Sequence, residues 1–119
     1  MAWEVEYTDE FEKWWNSLAE SDQDAIDATV AALEEHGPAL ARPLVDNVHR
    51  SRHPNMKELR VPGTIRILFA FDPRRTAILL VGGDKRGSWN TWYDTYVPLA
   101  DDLYDDHLAE IIDFNEGRE

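Results

Sequence analysis

The stretch MKELRVPGTIRILFAFDPRRTAILLV, residues 56–81, decides how the chain is read. It holds three β-rich runs, residues 56–61, 64–71 and 76–81, separated by Pro62-Gly63 and by Asp72-Pro73-Arg74-Arg75. Short apolar runs bounded by turn residues predict an antiparallel meander. Side chains alternate across a strand, so in the middle run Ile65, Ile67, Phe69 and Phe71 share one face and Arg66, Leu68 and Ala70 the other. The aromatic face is expected to receive helices. Arg66 then points away from that core, as does Arg60, which alternates with Leu59 and Val61 in the first run.

Upstream, Trp3-Glu4-Val5-Glu6-Tyr7 alternates apolar and acidic residues and predicts a half-buried strand. Thr8 or Asp9 can cap a helix in which Phe11, Trp14, Trp15 and Leu18 recur at helical spacing. A variant capping box, Ser21-Asp22-Gln23-Asp24, opens a second helix carrying Ile26, Val30 and Leu33 until Gly37-Pro38 stops it. Residues 38–54 lose periodicity, contain three prolines and read as a loop with short turns. Downstream, Gly82-Gly83 permits a sharp exit from the third run, and the aromatics Trp89, Trp92, Tyr93 and Tyr96 follow. Pro98 then opens a helix with Leu103, Tyr104, Leu108, Ile111 and Ile112 on one side. The expected order is β-α-α-β-β-β-α. This is a single α+β domain over residues 1–119, in which an N-terminal strand and a helical hairpin pack on a mainly antiparallel sheet, with a C-terminal helix added.

No run approaches the ~20 apolar residues that a membrane span requires, and the first residues have neither the basic start nor the apolar run of a signal peptide. A soluble, cytoplasmic protein without a membrane partner is expected. The absence of cysteine removes disulfides, thiolate chemistry and Cys-based zinc sites together. The net charge of −12 argues at first against nucleic acid, but its distribution does not. Residues 1–41 hold 11 acids and one base, residues 42–86 four acids and ten bases, and residues 87–119 nine acids and one base. Charges farther apart than a Debye length of about 8 Å are largely screened, so a polyanion beside the central segment meets a basic island.

Within that island, Lys57, Arg60, Arg66, Lys85 and Arg86 can gather on one side of a small sheet. Cleavage of an RNA backbone by its own 2′-hydroxyl requires alignment, neutralisation of charge on the phosphorane and help with proton transfer, all within reach of Arg and Lys. The plainer reading is that exposed strand positions favour long charged side chains, which also deter edge-to-edge aggregation. His49 and His53 stand four apart, but no third ligand accompanies them, so no metal is expected. His53 fits better as an acid or base near a phosphate. The aromatics at 89–96 can stack on bases, although such residues beside a helix start more often complete a core. Tyr93 has a hydroxyl that can reach the basic face. His107 is left out of the site, and the pairs Asp101-Asp102 and Asp105-Asp106 read as solvated surface.

The chain resembles the HigB-like, phage-derived branch of the RelE/ParE superfamily of type II toxin–antitoxin modules. The resemblance rests on Phe11 and Trp14 in the first helix, on Met56-Lys57-Glu58-Leu59-Arg60 followed by Ile65-Arg66-Ile67-Leu68-Phe69-Ala70-Phe71, and on Ile78-Leu79-Leu80-Val81-Gly82-Gly83-Asp84-Lys85. It implies a RelE-like fold and ribosome-dependent, cofactor-free cleavage of mRNA that inhibits translation. The implied partners are mRNA on the ribosome and a cognate helix-turn-helix antitoxin, with operator DNA bound only through the antitoxin complex. Arg60 and Arg66 would hold the phosphate, Lys57 and Lys85 would assist proton transfer or neutralise charge, and His53 and Tyr93 would supplement them. Arg42, Arg50, Arg52 and Arg86 would steer the nucleic acid. Two other roles remain open on this fold: a ParE-like toxin that binds gyrase, and an inactive regulatory protein that binds its antitoxin.

Overall fold

The computed structural model describes residues 2–87 and 89–117, with side chains as far as residue 112 apart from Trp89. Its elements are β1 (Val5–Tyr7), α1 (Asp9–Asn16), α2 (Glu20–His36), a 3-10 turn (Gly37–Ala39), β2 (Val45–Asn47), β3 (Lys57–Arg60), β4 (Ile65–Phe71), β5 (Ala77–Asp84) and α3 (Trp89–Gly117). They build a five-stranded sheet in the order β1-β5-β4-β3-β2. β1 runs parallel to β5, and the other pairings are antiparallel. Among the described residues no helix is long and apolar enough to cross a membrane.

The meander forms as expected, and three boundaries differ. β2 lies inside the segment read as a loop. At three residues it is too short to display a period, and it exists because Val45, Asp46 and Asn47 pair with Leu59, Glu58 and Lys57 while Val45 is buried. β5 continues through Gly82-Gly83 to Asp84 instead of leaving the sheet there. α3 begins at Trp89, so that Pro98 lies inside the helix and does not open it. The proline removes one helical hydrogen bond, but Trp92 and Val97 before it and Ala100 and Tyr104 after it are buried, and this packing keeps the helix running.

Local chemistry sets the helix starts. The Thr8 hydroxyl accepts from the Phe11 N–H at 3.1 Å and donates to the Leu80 carbonyl at 2.6 Å, capping α1 and fastening it to β5. The capping box expected at Ser21 does not form. α2 starts two residues earlier, after Ala19, whose side chain makes no cap, and the Asp22 and Gln23 N–H groups donate to the Ala19 carbonyl.

The sheet is covered on both faces. On one, Ile65, Ile67 and Phe69 pack with Leu59, Phe11, Ile26 and Leu33, so the aromatic face does receive α1 and α2. On the other, Leu68 and Ala70 pack with Met56, Leu80, Trp92, Val97 and Tyr104 under α3. The second face is therefore a core as well, and Arg60 and Arg66 stand at the edge of a packed layer, not on open surface.

A bulge interrupts the β4–β5 ladder, where Leu68 pairs with Val81 but Phe69 with Leu79. Leu80 and Val81 consequently both face α3, and every later residue of β5 is inverted relative to simple alternation. Gly82 then faces α1, where an added Cβ would lie 2.2 Å from the Trp14 ring, and Gly83 faces α3, where it would lie 2.6 Å from Trp92 Nε1. Each glycine lets one tryptophan press directly onto the sheet.

Asp72 ties the distal half of α3 to the β4–β5 turn. Its buried carboxylate accepts from Arg74 Nε at 2.9 Å and from the Arg74 and Thr76 N–H groups, and pairs with His107 Nε2 at 2.9 Å. Burial alone would raise its pKa, but the hydrogen bonds from His107, Arg74 and Thr76 outweigh it and hold the group below the usual carboxylate range.

Two predictions follow from this packing. Gly82→Ala should lower unfolding free energy by about 1–3 kcal/mol, as overpacking does, with a reduced urea midpoint. Because the folded-state pKa of Asp72 is depressed, its contribution is present above the unfolded carboxylate pKa and lost as pH falls through the folded value. The urea midpoint of Asp72→Asn should therefore fall less steeply between neutral pH and pH 3 than that of the native chain.

Candidate nucleic-acid interface

Strand alternation and the bulge together decide which charged residues meet. In β3, Glu58 and Arg60 point to the α3 face, while Lys57 shares the opposite face with Leu59. In β4, Arg66 lies directly across from Arg60 on one side and from Gly83 on the other. Lys85, just beyond β5, donates its N–H to the Thr64 carbonyl at 3.1 Å and reaches the α3 face as a consequence of the bulge. Its side chain is almost fully buried, with 2% of the residue exposed. Tyr93, from the first turns of α3, closes the group from above.

These residues form a connected chain. Lys85 Nζ donates to the Tyr93 hydroxyl at 3.3 Å, and that hydroxyl donates to Glu58 Oε1 through a very short hydrogen bond. Glu58 Oε2 accepts from Arg60 Nε at 2.9 Å, and Arg60 Nη2 continues to Asp46 at 3.1 Å. Arg66 directs Nη1 at the carbonyls of Val61, Gly63 and Ile65, between 2.8 and 3.2 Å. Its Nε and the indole N–H of Trp92 are buried donors with no hydrogen-bond partner among the described residues. Both belong to residues that flank Gly83.

The electrostatics follow from burial and proximity. Burial, and then the charge of Arg66, push the Lys85 amine below the ordinary lysine value, with Glu58 opposing them and Arg60 adding to them. Burial together with the Glu58 hydrogen bond raises the Tyr93 phenol well above its usual value, which keeps it a neutral donor. Glu58 holds the Arg60 guanidinium firmly protonated. The site thus places a buried carboxylate, a neutral phenol and an amine with a lowered pKa beside two permanent cations. Such a set can bind an anion and move a proton.

The other sequence candidates lie elsewhere. Lys57 bonds to Asn47 Oδ1 at 3.0 Å on the far face and does not join the cluster. His53 turns toward α3, with Nε2 at 2.8 Å from Asp105 Oδ1 and its ring edge-on to Tyr104. Arg52 pairs with Asp105, with Asp102 at 3.0 Å and with Asp101 at 3.8 Å. Asp101 is buried and also accepts from Ser51, so the acid pairs of α3 are in large part structural partners of the basic loop, contrary to the solvated surface expected. Arg50 pairs with Asp94 at 2.7 Å and lies 5.6 Å from the Tyr93 ring centre, at the rim of the cluster. Arg42 pairs with Asp46 at 3.2 Å, and exposed Arg86 lies 3.5 Å from Asp84. Trp92 is core, and Tyr93 and Tyr96 pack partly against it; the Trp89 side chain lies outside the described residues. The described residues contain no group of three or more His, Cys, Asp or Glu able to hold a metal.

Sequence reasoning missed Glu58 and Trp92 as members of the site. Glu58 sits two positions before Arg60, and the same alternation that placed Arg60 was enough to place it on that face. Nothing local pointed to Trp92, because its proximity to Arg66 depends on Gly83 and on the early start of α3.

The fold, a five-stranded mixed sheet covered by helices, is shared with solved RelE structures. Archaeal RelE, solved with RelB from Pyrococcus horikoshii, superposes with a TM-score of 0.60 at 14% identity, covering 74% of this chain and 100% of its own. Isolated Escherichia coli RelE gives 0.59 at 12% identity, covering 81% and 99%. The family described as phage-derived protein Gp49-like matches residues 13–105, and the chain belongs to that family. The putative toxin HigB2 of Mycobacterium tuberculosis is 48% identical over 110 residues, covering 88% of this chain, which spans 54% of HigB2. The putative toxin HigB3 of the same organism is 50% identical over 99 residues, covering 82% of this chain and 87% of its own.

In an NMR titration of the lysine side chains, Lys85 should lose its proton below the ordinary lysine value. Glu58→Gln should move it lower still, because a carboxylate that favours the charged amine is removed.

Proposed function

We propose that this chain is the toxin of a toxin–antitoxin module and that it cleaves mRNA on the ribosome at the cluster of Glu58, Arg60, Arg66, Lys85 and Tyr93. The observation that supports this reading is the convergence of a buried amine, two guanidinium groups and a hydrogen-bonded Glu58–Tyr93 pair on one face. Arg66, with its unpartnered Nε, and Arg60 would receive the phosphate oxygens, and Lys85 would neutralise charge that develops on the phosphorane. The carboxylate would accept the 2′-hydroxyl proton through Tyr93 or after Tyr93 swings aside, and the 5′-oxygen of the departing strand would leave with a proton delivered from the same network. No metal or cofactor enters these steps. Arg50 and Arg86 at the rim would guide the strand, while the pairing of Arg52 and His53 with α3 leaves them a structural part. The likeness to RelE structures solved as toxin–antitoxin complexes supports a cognate antitoxin as partner, and operator DNA would be reached through that complex.

Regulated expression of the native chain should arrest growth and produce new mRNA 5′ ends. The double substitution Arg66→Ala, Lys85→Ala should reduce cleavage on the order of a hundredfold or more, as removal of preorganised charge typically does, while Lys57→Ala should retain it. Supercoiling by gyrase should be unaffected by the purified protein. Equal toxicity and identical ends for the double variant would sink the proposal.

A further inference from the structure

The end of the sheet opposite the cation cluster carries a second feature. Between the start of α1 and the distal half of α3 runs a cleft of about 1060 Å³. Tyr7, Ile78, Leu103 and Ile111 supply its apolar lining, and Asp9, Glu10, Asp106 and Glu110 its acidic rim. Among the described residues two large hydrophobic side chains are strongly exposed, Tyr7 at 58% and Ile112 at 56%. Tyr7 lines the cleft, and Ile112 follows directly on Ile111 at the opposite wall. Among the described residues the strongly exposed large apolar side chains therefore lie at one place, rimmed by polar groups, which is the usual mark of a protein-binding surface.

The charges at the cleft differ from those elsewhere on the same helix. On the side of α3 that faces the basic loop, Asp101, Asp102 and Asp105 are matched by Arg52. Around the cleft, Asp9, Asp106 and Glu110 form no ion pair among the described residues. Arg74 is already bound to Glu6 at 2.9 Å and to Asp72 at 2.8 Å, and Lys13 approaches Glu10 only to 3.7 Å. An apolar trough whose rims carry carboxylates with no ion pair among the described residues is complementary to a segment whose apolar stripe is flanked by Lys or Arg.

We propose that this cleft docks an amphipathic, cation-flanked helix of a partner protein. Its apolar side chains would seat on Tyr7, Leu103 and Ile111, and its cations would meet Asp9, Asp106 and Glu110. Ile78 stands near the start of β5 and Lys85 just after its end, seven residues and about 23 Å away at the rise of a strand. A helix held here leaves the cation cluster uncovered, so docking and chemistry occupy separate surfaces. This inference stands whether or not the cluster cleaves RNA.

The test uses the full chain and a 14-residue peptide of Leu and Lys placed at helical spacing, with a Leu and Glu peptide of the same pattern as its opposite. Titration calorimetry should show binding of the Lys peptide alone, and amide shifts should concentrate at Tyr7, Leu103 and Ile111. Asp106→Lys with Glu110→Lys should weaken binding at least tenfold, whereas Asp24→Lys with Glu35→Lys, the same charge change on exposed α2, should change it less than twofold. Tyr7→Ser, at an exposed position, provides an uncharged second variant and should weaken binding at least threefold. Equal weakening by both charge-reversed pairs, shifts spread over other faces, no loss with Tyr7→Ser, or no binding of the Lys peptide would each overturn the proposal. None of these measurements reads RNA cleavage or growth, so the failure of either proposal is recognisable on its own.

Discussion

The extra residue in β5 governs the arrangement of this molecule. Without the bulge, alternation from Ile78 and Leu80 would turn Gly82 toward α3, and Gly83 and Lys85 toward α1 and α2. Trp14 and Trp92 would then each meet a position on the wrong side, and the amine would lie across the sheet from Arg60 and Arg66. A one-residue slip in a sheet changes the face of everything beyond it, and here that property selects which charges assemble. The local geometry of two hydrophobic residues, Leu80 and Val81, thus determines a polar site several residues away.

The cluster itself carries an electrostatic tension. Arg60 and Arg66 oppose each other across β3 and β4, a placement that like charges normally disfavour. Glu58 offsets it from within, and the carbonyls around Pro62-Gly63 hold the second guanidinium. A carboxylate as buried as Glu58 is costly to maintain without partners, so Arg60 and Tyr93 are requirements of its burial as well as neighbours. The same logic of mutual neutralisation organises the rest of the basic segment, where Arg50, Arg52 and His53 are drawn to α3. The island seen in the sequence is thereby divided into a part consumed in holding a loop to a helix and a part held at the sheet.

The meander, the two N-terminal helices and the aromatic face were legible because each is a local period: two residues for Ile65 to Phe71, three to four for Phe11 to Leu18. The boundaries that escaped reading depend on non-local events. β2 is a strand only because β3 lies beside it, and α3 crosses Pro98 only because buried residues on both sides anchor it. The placement of Arg60 and Arg66 on one face followed from alternation, but that of Lys57 was misjudged although the same rule applied to it. Lys85 lies beside them through an irregularity that no periodic reading contains. Glycine punctuation misled as well: Gly82 and Gly83 read as an exit from the strand, whereas they serve the close approach of two indoles from opposite layers.

The parallel pairing of β1 with β5 bears on how the chain reaches this state. Thr8 bonds to Leu80, 72 positions away, and Val5 to Tyr7 align with Ala77 to Leu79. During synthesis the first strand therefore emerges long before β5, its neighbour in the sheet among the described residues, and α1 and α2 are made ahead of the surface they cover. The hairpins of β3, β4 and β5 close over short loops, so the meander is the natural seed, with the amino-terminal segment joining by a large loop closure afterwards. Among the five strands, the earliest in the chain is consequently held by the contact of longest sequence separation.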